Sequence, residues 1–543
     1  MRKTRFGGLR LIFSLAVASA WIWAGAAAAE QTPLGGAKAP LHGIKVQRLL
    51  IKNAMVIYGN AKPGFGPADI LVQDGLIARV GAAPPDESPP DAVIDATGKY
   101  VTPGFINTHI HLHGTRGNRP IPIQYELNLY LAAGCTTVRE VGSGGMVTEP
   151  EINVERALEI RVQSASGRLA APRVLVYPML DGTRGPEEQR AYIRTLKKAG
   201  VDGIKLRNVG DRDVVAAIID ESQKLGLPTA AHIGLEETTA RDYAELGVNS
   251  IEHFYGIPEA SYDGIADIPS EMNNSNEAHR FALIGRLFLQ SNFNPAKLSE
   301  LLDLMVRRGV AWTPTFSCYE ASRDPIRARN LPWNKDYLHP ALEEYFRPDL
   351  EHHGGYLAGW TTTQQVQWRR HFRLWMEAVR DFALKGGLVT VGDDAGYIVG
   401  ALYGFCFARE LEMLEEAGFR PLEVIKLATV NGAKLLRLDD RLGRVRKGFI
   451  ADLLVVNGNP LENLGILNPY GCDILTYDGK PVSNLSPLAP GDPRIKVAHG
   501  GGIEWTIKNG IPYHVPDLLE EVKDIVAKAR AARSQPEKSP KHE

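Results

Sequence analysis

The stretch "TPGFINTHIHLHG" (Thr102–Gly114) places three histidines at alternate positions behind an apolar run. Alternate residues of a β-strand point to the same face, so His109, His111 and His113 would project together if "GFINTHIHLH" is a strand. Histidine pairs on one face are typical metal ligands. A hydrolytic metal site needs three or more protein ligands plus an open position, so this strand predicts further ligands elsewhere in the chain.

The sequence beyond this strand alternates apolar runs with amphipathic segments such as "DRDVVAAIIDESQKLG". The runs that we interpret as strands are "GFINTHIHLH", "GCTTVREVG", "APRVLVYP", "VDGIKLRN", "LPTAAHIG", "NSIEHFYG", "GVAWTPTF" and "GGLVTVGDDAG". Near-continuous apolar strands alternating with helices indicate a parallel sheet, and eight such units predict an α/β fold of the (β/α)8 TIM-like barrel class. Residues 271–372 exceed one unit, and we expect part of them to form helical insertions over the barrel mouth.

Both ends of the chain carry turn-rich β segments, including "ADILVQDGLIARVG" before the barrel and "IEWTIKNGIPYHV" after it. Their Asp-Gly and Asn-Gly turns are hairpin signals, and they predict a small composite β-sandwich domain formed by the N- and C-terminal segments. The predicted organisation is a signal peptide (1–29), a linker (30–48), the first part of the β-sandwich (49–103), the barrel (104–439), the second part of the β-sandwich (440–515), and a C-terminal helix with a charged tail (516–543).

The first 29 residues have the pattern of a secretory signal, with a basic start, an apolar stretch and small residues before Glu30. The alternative is a retained membrane anchor, because the apolar stretch approaches spanning length. We expect an exported protein, periplasmic or secreted, with no membrane association after signal cleavage. The formal net charge of -1 gives no electrostatic reason to expect nucleic acid and favours a small-molecule or dipeptide-like substrate. The sequence does not decide whether the chain forms a homo-oligomer.

The four cysteines, Cys135, Cys318, Cys406 and Cys472, lie far apart and form no C-x-x-C pattern. An exported compartment would permit disulfides. We expect mostly structural thiols and no cysteine-based metal site.

Active sites of such barrels lie at the C-terminal ends of the strands. The candidate ligands on the predicted strands are His109, His111, Lys205, His232, His253 and Asp394. Imidazole and carboxylate suit zinc, and less often iron or manganese. Each residue has a structural alternative: a single histidine is more often a hydrogen-bonded core residue, Lys205 would extend its amine to the surface, and Asp394 or Asp393 could cap a helix. Their matched positions in separate βα units favour a shared metal site.

Lys205 differs chemically from the other candidates. An ammonium group has no lone pair to give a cation, and its burial beside a metal would be costly. The deprotonated amine, however, can add carbon dioxide to become a carbamate, which supplies two oxygen ligands. An N6-carboxylated Lys205 would bridge two metals, so the sequence predicts two divalent metal ions, of which Zn²⁺ is the favoured one.

The chain resembles the amidohydrolase superfamily, specifically its imidazolonepropionase-like and prolidase-like members. The resemblance rests on "VTPGFINTHIHL", "GCTTVREVG", "GIKLRN", "AHIG", "IEHF", "VGDDAG" and "ATVNGAKLL…GRVRKGFIADLLVVNGNPL", and it spans about Leu49 to Leu464. It implies a metal-holding barrel with a composite β-sandwich. It also implies that His109, His111 and Asp394 hold the more buried metal, that His232 and His253 hold the second, and that carbamylated Lys205 bridges them. The family often has "GTDAG" where this chain has "GDDAG", so Asp393 replaces a threonine and is expected to perturb metal affinity or the pH profile.

The resemblance and the ligand set together predict hydrolysis of a C–N bond in an amide, a cyclic amide, or a dipeptide or N-acyl amino acid. Paired cations would lower the pKa of a bridging water, and one metal would polarise the carbonyl. Asp394, the predicted catalytic residue, would pass the water proton to the leaving nitrogen.

Three other functions stay open at this point. Mononuclear deaminases of the superfamily usually carry His-x-x-Glu on the fifth strand, whereas "HIGLE" spaces Glu236 one residue too far from His232. A lactone, ester or phosphotriester hydrolase would share the same ligands. A non-catalytic binding protein on the same barrel should have lost ligands, and none is missing.

Candidate substrate contacts follow the ligand-bearing strands: His113, Arg116, Arg207, Tyr255 and Tyr397. The two arginines could pair with a substrate carboxylate, which would favour dipeptides or N-acyl amino acids, or they could form loop salt bridges. His352 and His353 lie in the insertion, where we expect surface positions.

Overall fold

In this computed structural model the described residues are 39–533, except 86, 118, 145–151, 235–236, 265–276, 349–352 and 482–490. The predicted signal peptide, residues 30–38 of the predicted linker and the end of the charged tail (534–543) lie outside the described residues. Among the helices that are described, none combines the length and the apolar character needed to cross a bilayer.

The strands, in chain order, are β1 (Arg48–Val56), β2 (Phe65–Gln73), β3 (Leu76–Val80), β4 (Ala92–Asp95), β5 (Tyr100–Pro103), β6 (Phe105–Ile110), β7 (Thr115–Arg116), β8 (Arg119–Pro120), β9 (Cys135–Glu140), β10 (Arg173–Val176), β11 (Met179–Leu180), β12 (Ile204–Val209), β13 (Thr229–Ile233), β14 (Ser250–Glu252), β15 (Ala311–Thr313), β16 (Leu388–Val389), β17 (Leu453–Val456), β18 (Cys472–Tyr477), β19 (Lys480–Pro481), β20 (Ile495–Gly500), β21 (Ile503–Lys508) and β22 (Ile511–His514).

The helices are α1 (Ile123–Ala132), α2 (Val154–Ala165), α3 (Pro186–Ala199), α4 (Arg212–Lys224), α5 (Ala240–Leu246), α6 (Glu277–Ile284), α7 (Pro295–Arg308), α8 (Glu320–Arg323), α9 (Pro325–Arg329), α10 (Asn334–Tyr337), α11 (Pro340–Tyr345), α12 (Thr362–Leu384), α13 (Phe405–Glu416), α14 (Pro421–Lys426), α15 (Gly432–Leu435) and α16 (Val515–Arg533).

Strands from both ends of the chain share one eight-stranded sheet, in the order β22-β21-β17-β5-β1-β2-β3, with β4 paired to β1. Its core contains fully buried apolar side chains such as Leu49, Ile51, Leu453 and Ile507. Burial of apolar surface of this kind is the main contribution to the stability of a sheet domain. A separate three-stranded sheet, β19-β18-β20, follows β17 in sequence. The shared sheet is composite, whereas the packing of two sheets into a sandwich remains a prediction.

The predicted barrel strands form two parallel sheets, β10-β9-β6 and β11-β12-β13-β14-β15-β16, rather than one closed barrel. The predicted third strand, residues 171–178, contains β10 and ends at Pro178, which has no N–H to give to a ladder. β11 follows directly and belongs to the other sheet. Backbone hydrogen bonds nevertheless cross between the sheets, from Thr108 N–H to the carbonyl of Val391 (2.8 Å) and from Met179 N–H to the carbonyl of Ser143 (3.1 Å). The strands therefore keep a parallel order that is TIM-barrel-like.

The polar core of this region supports the strand order. The hydroxyls of Thr108, Thr313 and Thr390, which lie on or directly after three different strands, are 2.8 to 3.5 Å apart. Each of these threonines is fully buried, so the hydroxyls satisfy one another in the absence of solvent.

Candidate metal centre

One small cavity, of about 40 Å³, brings together all six predicted metal ligands. Its lining residues are His109, His111, Met179, Lys205, Arg207, His232, His253, Arg280, Phe281, Cys318, Tyr319, His353, Asp394, Tyr397 and Ile398. His109 and His232 lie near the ends of β6 and β13, and His253 directly follows β14. Lys205 is the second residue of β12, earlier in its strand than the sequence interpretation implied. The cavity thus joins side chains from separate βα units.

Three of these side chains form a group with the geometry to hold a metal ion. The ligand atoms of His109, His253 and Asp394 all lie within 4.8 Å of one another. Oδ1 of Asp394 lies 3.5 Å from Nε2 of His109 and 3.1 Å from Nε2 of His111, while its Oδ2 lies 3.8 Å from Nε2 of His253. Imidazole nitrogens and a carboxylate oxygen converging in this way form a donor set suited to zinc.

Unusual backbone conformations hold this group in place. His253 and Asp394 have φ angles of 61° and 47°, in the left-handed region that non-glycine residues rarely adopt. Main-chain bonds support both positions, from His253 N–H to the carbonyl of Thr313 (2.9 Å) and from Asp394 N–H to that of His109 (3.0 Å). Gly392 approaches closely, since a Cβ there would lie 2.5 Å from the Cβ of His109. The positions of these candidate ligands are therefore fixed by tight main-chain packing.

A buried hydrogen-bonded network of charged side chains orients His109. Its Nδ1 lies 2.6 Å from Oε2 of Glu252, whose Oε1 accepts hydrogen bonds from Arg139 Nη2 (2.8 Å) and Ser250 Oγ (2.6 Å). Burial opposes ionisation of Glu252, but the charges of Arg139 and Lys205 and the contact with His109 outweigh it, so the pKa of this carboxyl is well below its usual range. A carboxylate partner of this kind sets the tautomer of a metal-binding histidine. The sequence interpretation did not identify Arg139 or Glu252 as functional residues. The feature that could have pointed to them is the occurrence of charged residues in two predicted strands, in "GCTTVREVG" and "IEHF".

Lys205 is 1 % exposed, and its amine has no hydrogen-bond partner among the described residues. Burial lowers its pKa to about 8. A lower pKa increases the fraction of neutral amine near physiological pH, and this is the form that can react with carbon dioxide. Nε2 of His232 likewise has no hydrogen-bond partner in the described part of the chain, and two such buried polar atoms fit a site built to hold metal.

The other ionisable groups have the protonation states that metal ligands need. Burial and neighbouring charges hold the pKa values of His232 and His253 well below the usual range, so both rings are neutral near pH 7. For Asp394, burial opposes ionisation but His109 and His111 outweigh it, and its pKa is well below normal. Asp393 is fully buried but does not line the cavity. Burial raises the pKa of its carboxyl group to about 8.

The five predicted substrate contacts separate into two groups. Arg207 and Tyr397 line the cavity, and the Tyr397 hydroxyl lies 3.2 Å from Nδ1 of His111. His113, Arg116 and Tyr255 do not line it. His113 Nδ1 lies 2.6 Å from the Tyr403 hydroxyl, Arg116 Nε donates to the carbonyl of Gly396 (2.8 Å), and Tyr255 stacks on His232 with ring centroids 4.3 Å apart.

The insertion contributes cavity residues that the sequence interpretation missed, chiefly Arg280, Phe281 and His353. The surface position expected for His353 is wrong: it is buried, with Nε2 3.1 Å from Nη2 of Arg280 and its ring 5.6 Å from that of Phe281. Packing against aromatic side chains explains its burial. His352 lies outside the described residues, as does Glu236.

All four cysteines are free, and Cys318 lines the cavity. Burial raises the pKa of the Cys318 thiol well above its usual range, so it stays protonated.

Comparison with known proteins gives a family model, described as "Amidohydrolase family", that matches residues 100–482. A dihydroorotase from Solibacter usitatus is 30% identical over 222 residues, 40% of this chain and 49% of that protein. An enamidase from Eubacterium barkeri is 26% identical over 231 residues, 40% of this chain and 59% of that protein. The chain thus spans about half the length of these relatives.

Solved structures also resemble this chain. A bottromycin amidohydrolase superposes with a TM-score of 0.61 at 17% identity, covering 90% of this chain and 92% of that chain. A Xaa-Pro dipeptidase with bound methionine gives a TM-score of 0.56 at 20% identity, covering 86% and 100%. At these identities the likeness shows a shared fold.

Proposed function

Because this chain belongs to the amidohydrolase family, we propose that it is a binuclear metal-dependent hydrolase that cleaves a carbon–nitrogen bond. The observation that carries the proposal is the convergence of four histidines, Lys205 and Asp394 on one buried cavity. His109, His111 and Asp394 would hold one divalent ion, by preference Zn²⁺, and His232 and His253 the other. Lys205, carboxylated on its amine, would bridge the two.

Divalent ions bound here would lower the pKa of a water molecule and polarise the scissile carbonyl group. Asp394 is the one carboxylate among the described lining residues, and its low pKa keeps it ionised. It can therefore accept the proton of the attacking water and deliver it to the leaving nitrogen. The Arg139–Glu252 pair holds the His109 ring in one orientation during this cycle.

Two arginines in the cavity lining support a substrate with a carboxylate. Arg207 and Arg280 both line the cavity, and together with burial and His253 their charges help to lower the pKa of His232. His353 lies against Arg280 and helps to fix its guanidinium. Guanidinium groups bind carboxylates with paired, directional hydrogen bonds. We therefore propose N-acyl amino acids or dipeptides as the substrate class.

A screen of N-acetyl amino acids and dipeptides tests this function, with each substrate compared with its C-terminal amide. The proposal predicts hydrolysis that a chelator abolishes and divalent metal restores. It also predicts a larger loss of kcat/KM for Arg280→Met on the acids than on the amides. Release of ammonia from aminopurines, without amide hydrolysis, would instead favour a deaminase, an activity named for another relative, an adenine deaminase from Listeria innocua.

We also propose that the protein is exported, on the pattern of its first 29 residues. N-terminal sequencing of the protein recovered from its native host tests this, with cleavage near Glu30 expected. A retained N-terminus would favour an anchor or an internal location.

A further inference from the structure

A second cavity, far larger than the metal cavity, lies in the composite sheet domain. It has a volume of about 950 Å³ and opens between strands β1–β3 and the loop 444–447. None of its lining residues lines the metal cavity. Its size is near the top of the range of about 300–1,000 Å³ that is usual for small-molecule sites.

The lining of this cleft is strongly cationic. It contains the basic side chains Arg48, Lys62, Arg79, Arg444, Arg446 and Lys447, against a single described carboxylate, that of Glu87. Arg79 already binds Glu87 through two hydrogen bonds of 3.0 and 2.8 Å. The other five cations form no salt bridge with any carboxylate in the part of the chain that the structure describes. This concentration of positive charge occurs in a chain whose formal net charge is -1.

Several of these cations are held in position by neutral groups. Arg48 donates from Nη1 to the side-chain oxygen of Gln73 (2.7 Å) and from Nη2 to the carbonyl of Ser88 (2.9 Å). Arg444 and Arg446 lie against the ring of Phe449, at 5.9 and 5.7 Å from its centroid. Such contacts orient a guanidinium without neutralising its charge. The cleft is therefore arranged to receive negative charge.

We infer that this cleft binds a small anion that carries two or more phosphate groups. Like charges in a concave site repel one another and concentrate the electrostatic field, so a multivalent anion binds there more strongly than a monovalent one. Guanidinium forks match phosphate oxygens in geometry. The concave shape, walled by strands and loops, suits a free anion better than the flat surface of a bilayer.

Calorimetric titration of the full chain with inorganic tripolyphosphate tests this inference. Arg446→Glu combined with Lys447→Glu reverses two exposed charges at the rim of the cleft. Lys197→Glu combined with Lys198→Glu makes the same change of charge on the exposed end of α3, away from the cleft lining. We expect wild-type binding that weakens with added salt, at least a tenfold higher Kd in the rim variant, and little change in the α3 variant.

Three results would overturn the inference. The first is no binding of tripolyphosphate to the wild-type chain. The second is equal weakening in both double variants, which would indicate an effect of net charge alone. The third is binding to phosphatidylglycerol vesicles without binding of tripolyphosphate, which would assign the cleft to a membrane surface.

Discussion

Replacing Glu252 by glutamine removes the carboxylate that contacts His109, a candidate metal ligand. Glu252 is fully buried and contacts three groups, on His109, Arg139 and Ser250, at 2.6 to 2.8 Å. The amide would keep one acceptor oxygen but would turn an NH₂ group toward one of these groups. It would also leave the guanidinium of Arg139, which is 1 % exposed, without its counter-charge.

Removing one partner of a buried ion pair costs about 3–5 kcal/mol, because the remaining charge stays desolvated. Loss of the carboxylate partner of a metal-binding histidine weakens metal affinity by about 10–100-fold. Urea unfolding of the metal-free protein measures the first effect, and competition with a zinc indicator measures the second. We expect Glu252→Gln to show both.

Glu159→Gln is the matched control, because it breaks an Arg–Glu pair whose side chains are 42 % and 52 % exposed. Exposed pairs contribute about 0–1 kcal/mol, so this variant should resemble the wild type. If Glu252→Gln behaves like the control in both assays, then Glu252 neither balances Arg139 nor orients His109.

Further predictions concern other sites. His371→Leu should raise the free energy of unfolding by about 1 kcal/mol or more in urea titrations, because neither ring nitrogen of this fully buried histidine has a hydrogen-bond partner among the described residues. A variant less stable than the wild type would contradict this. Gly392→Ala should displace His109 and lower the bound metal measured by atomic emission, whereas Gly185→Ala, where a Cβ meets nothing within 4 Å, should not. Burial lowers the pKa of Lys508 to about 8, so the unfolded chain keeps a proton that the folded chain releases between pH 8 and 10. The free energy of unfolding of the wild type relative to Lys508→Met should therefore rise by up to about 1.4 kcal/mol per pH unit in that window, and a constant difference would refute this.

The grouping of the six candidate metal ligands in one cavity could be anticipated from the sequence, because strand geometry determines which neighbours share a face. His109 and His111 are two residues apart in an apolar run, and that spacing alone places them together. The residues that orient His109 were harder to predict. Arg139 and Glu252 are distant in sequence, and their pairing depends on which strands become neighbours.

The cavity residues contributed by the insertion could not be predicted in the same way. Arg280 and His353 belong to an insertion, and helical periodicity does not determine where such a segment crosses the strands. The placement of Arg116 was equally hard to predict. It follows a ligand strand in sequence, but its guanidinium lies between the rings of Tyr345 and Tyr397, at 5.1 and 4.6 Å from their centroids, and is outside the cavity lining.

The metal content of the purified wild-type chain, beside Lys205→Met, tests the central claim most directly. Lys508→Met is the matched control, because Lys508 is also a buried lysine with a pKa lowered to about 8 but lies outside the metal cavity. The binuclear account predicts about two equivalents of metal in the wild type and in the control, and a clear loss in Lys205→Met. One equivalent in all three proteins would contradict the bridged site and would favour a mononuclear enzyme.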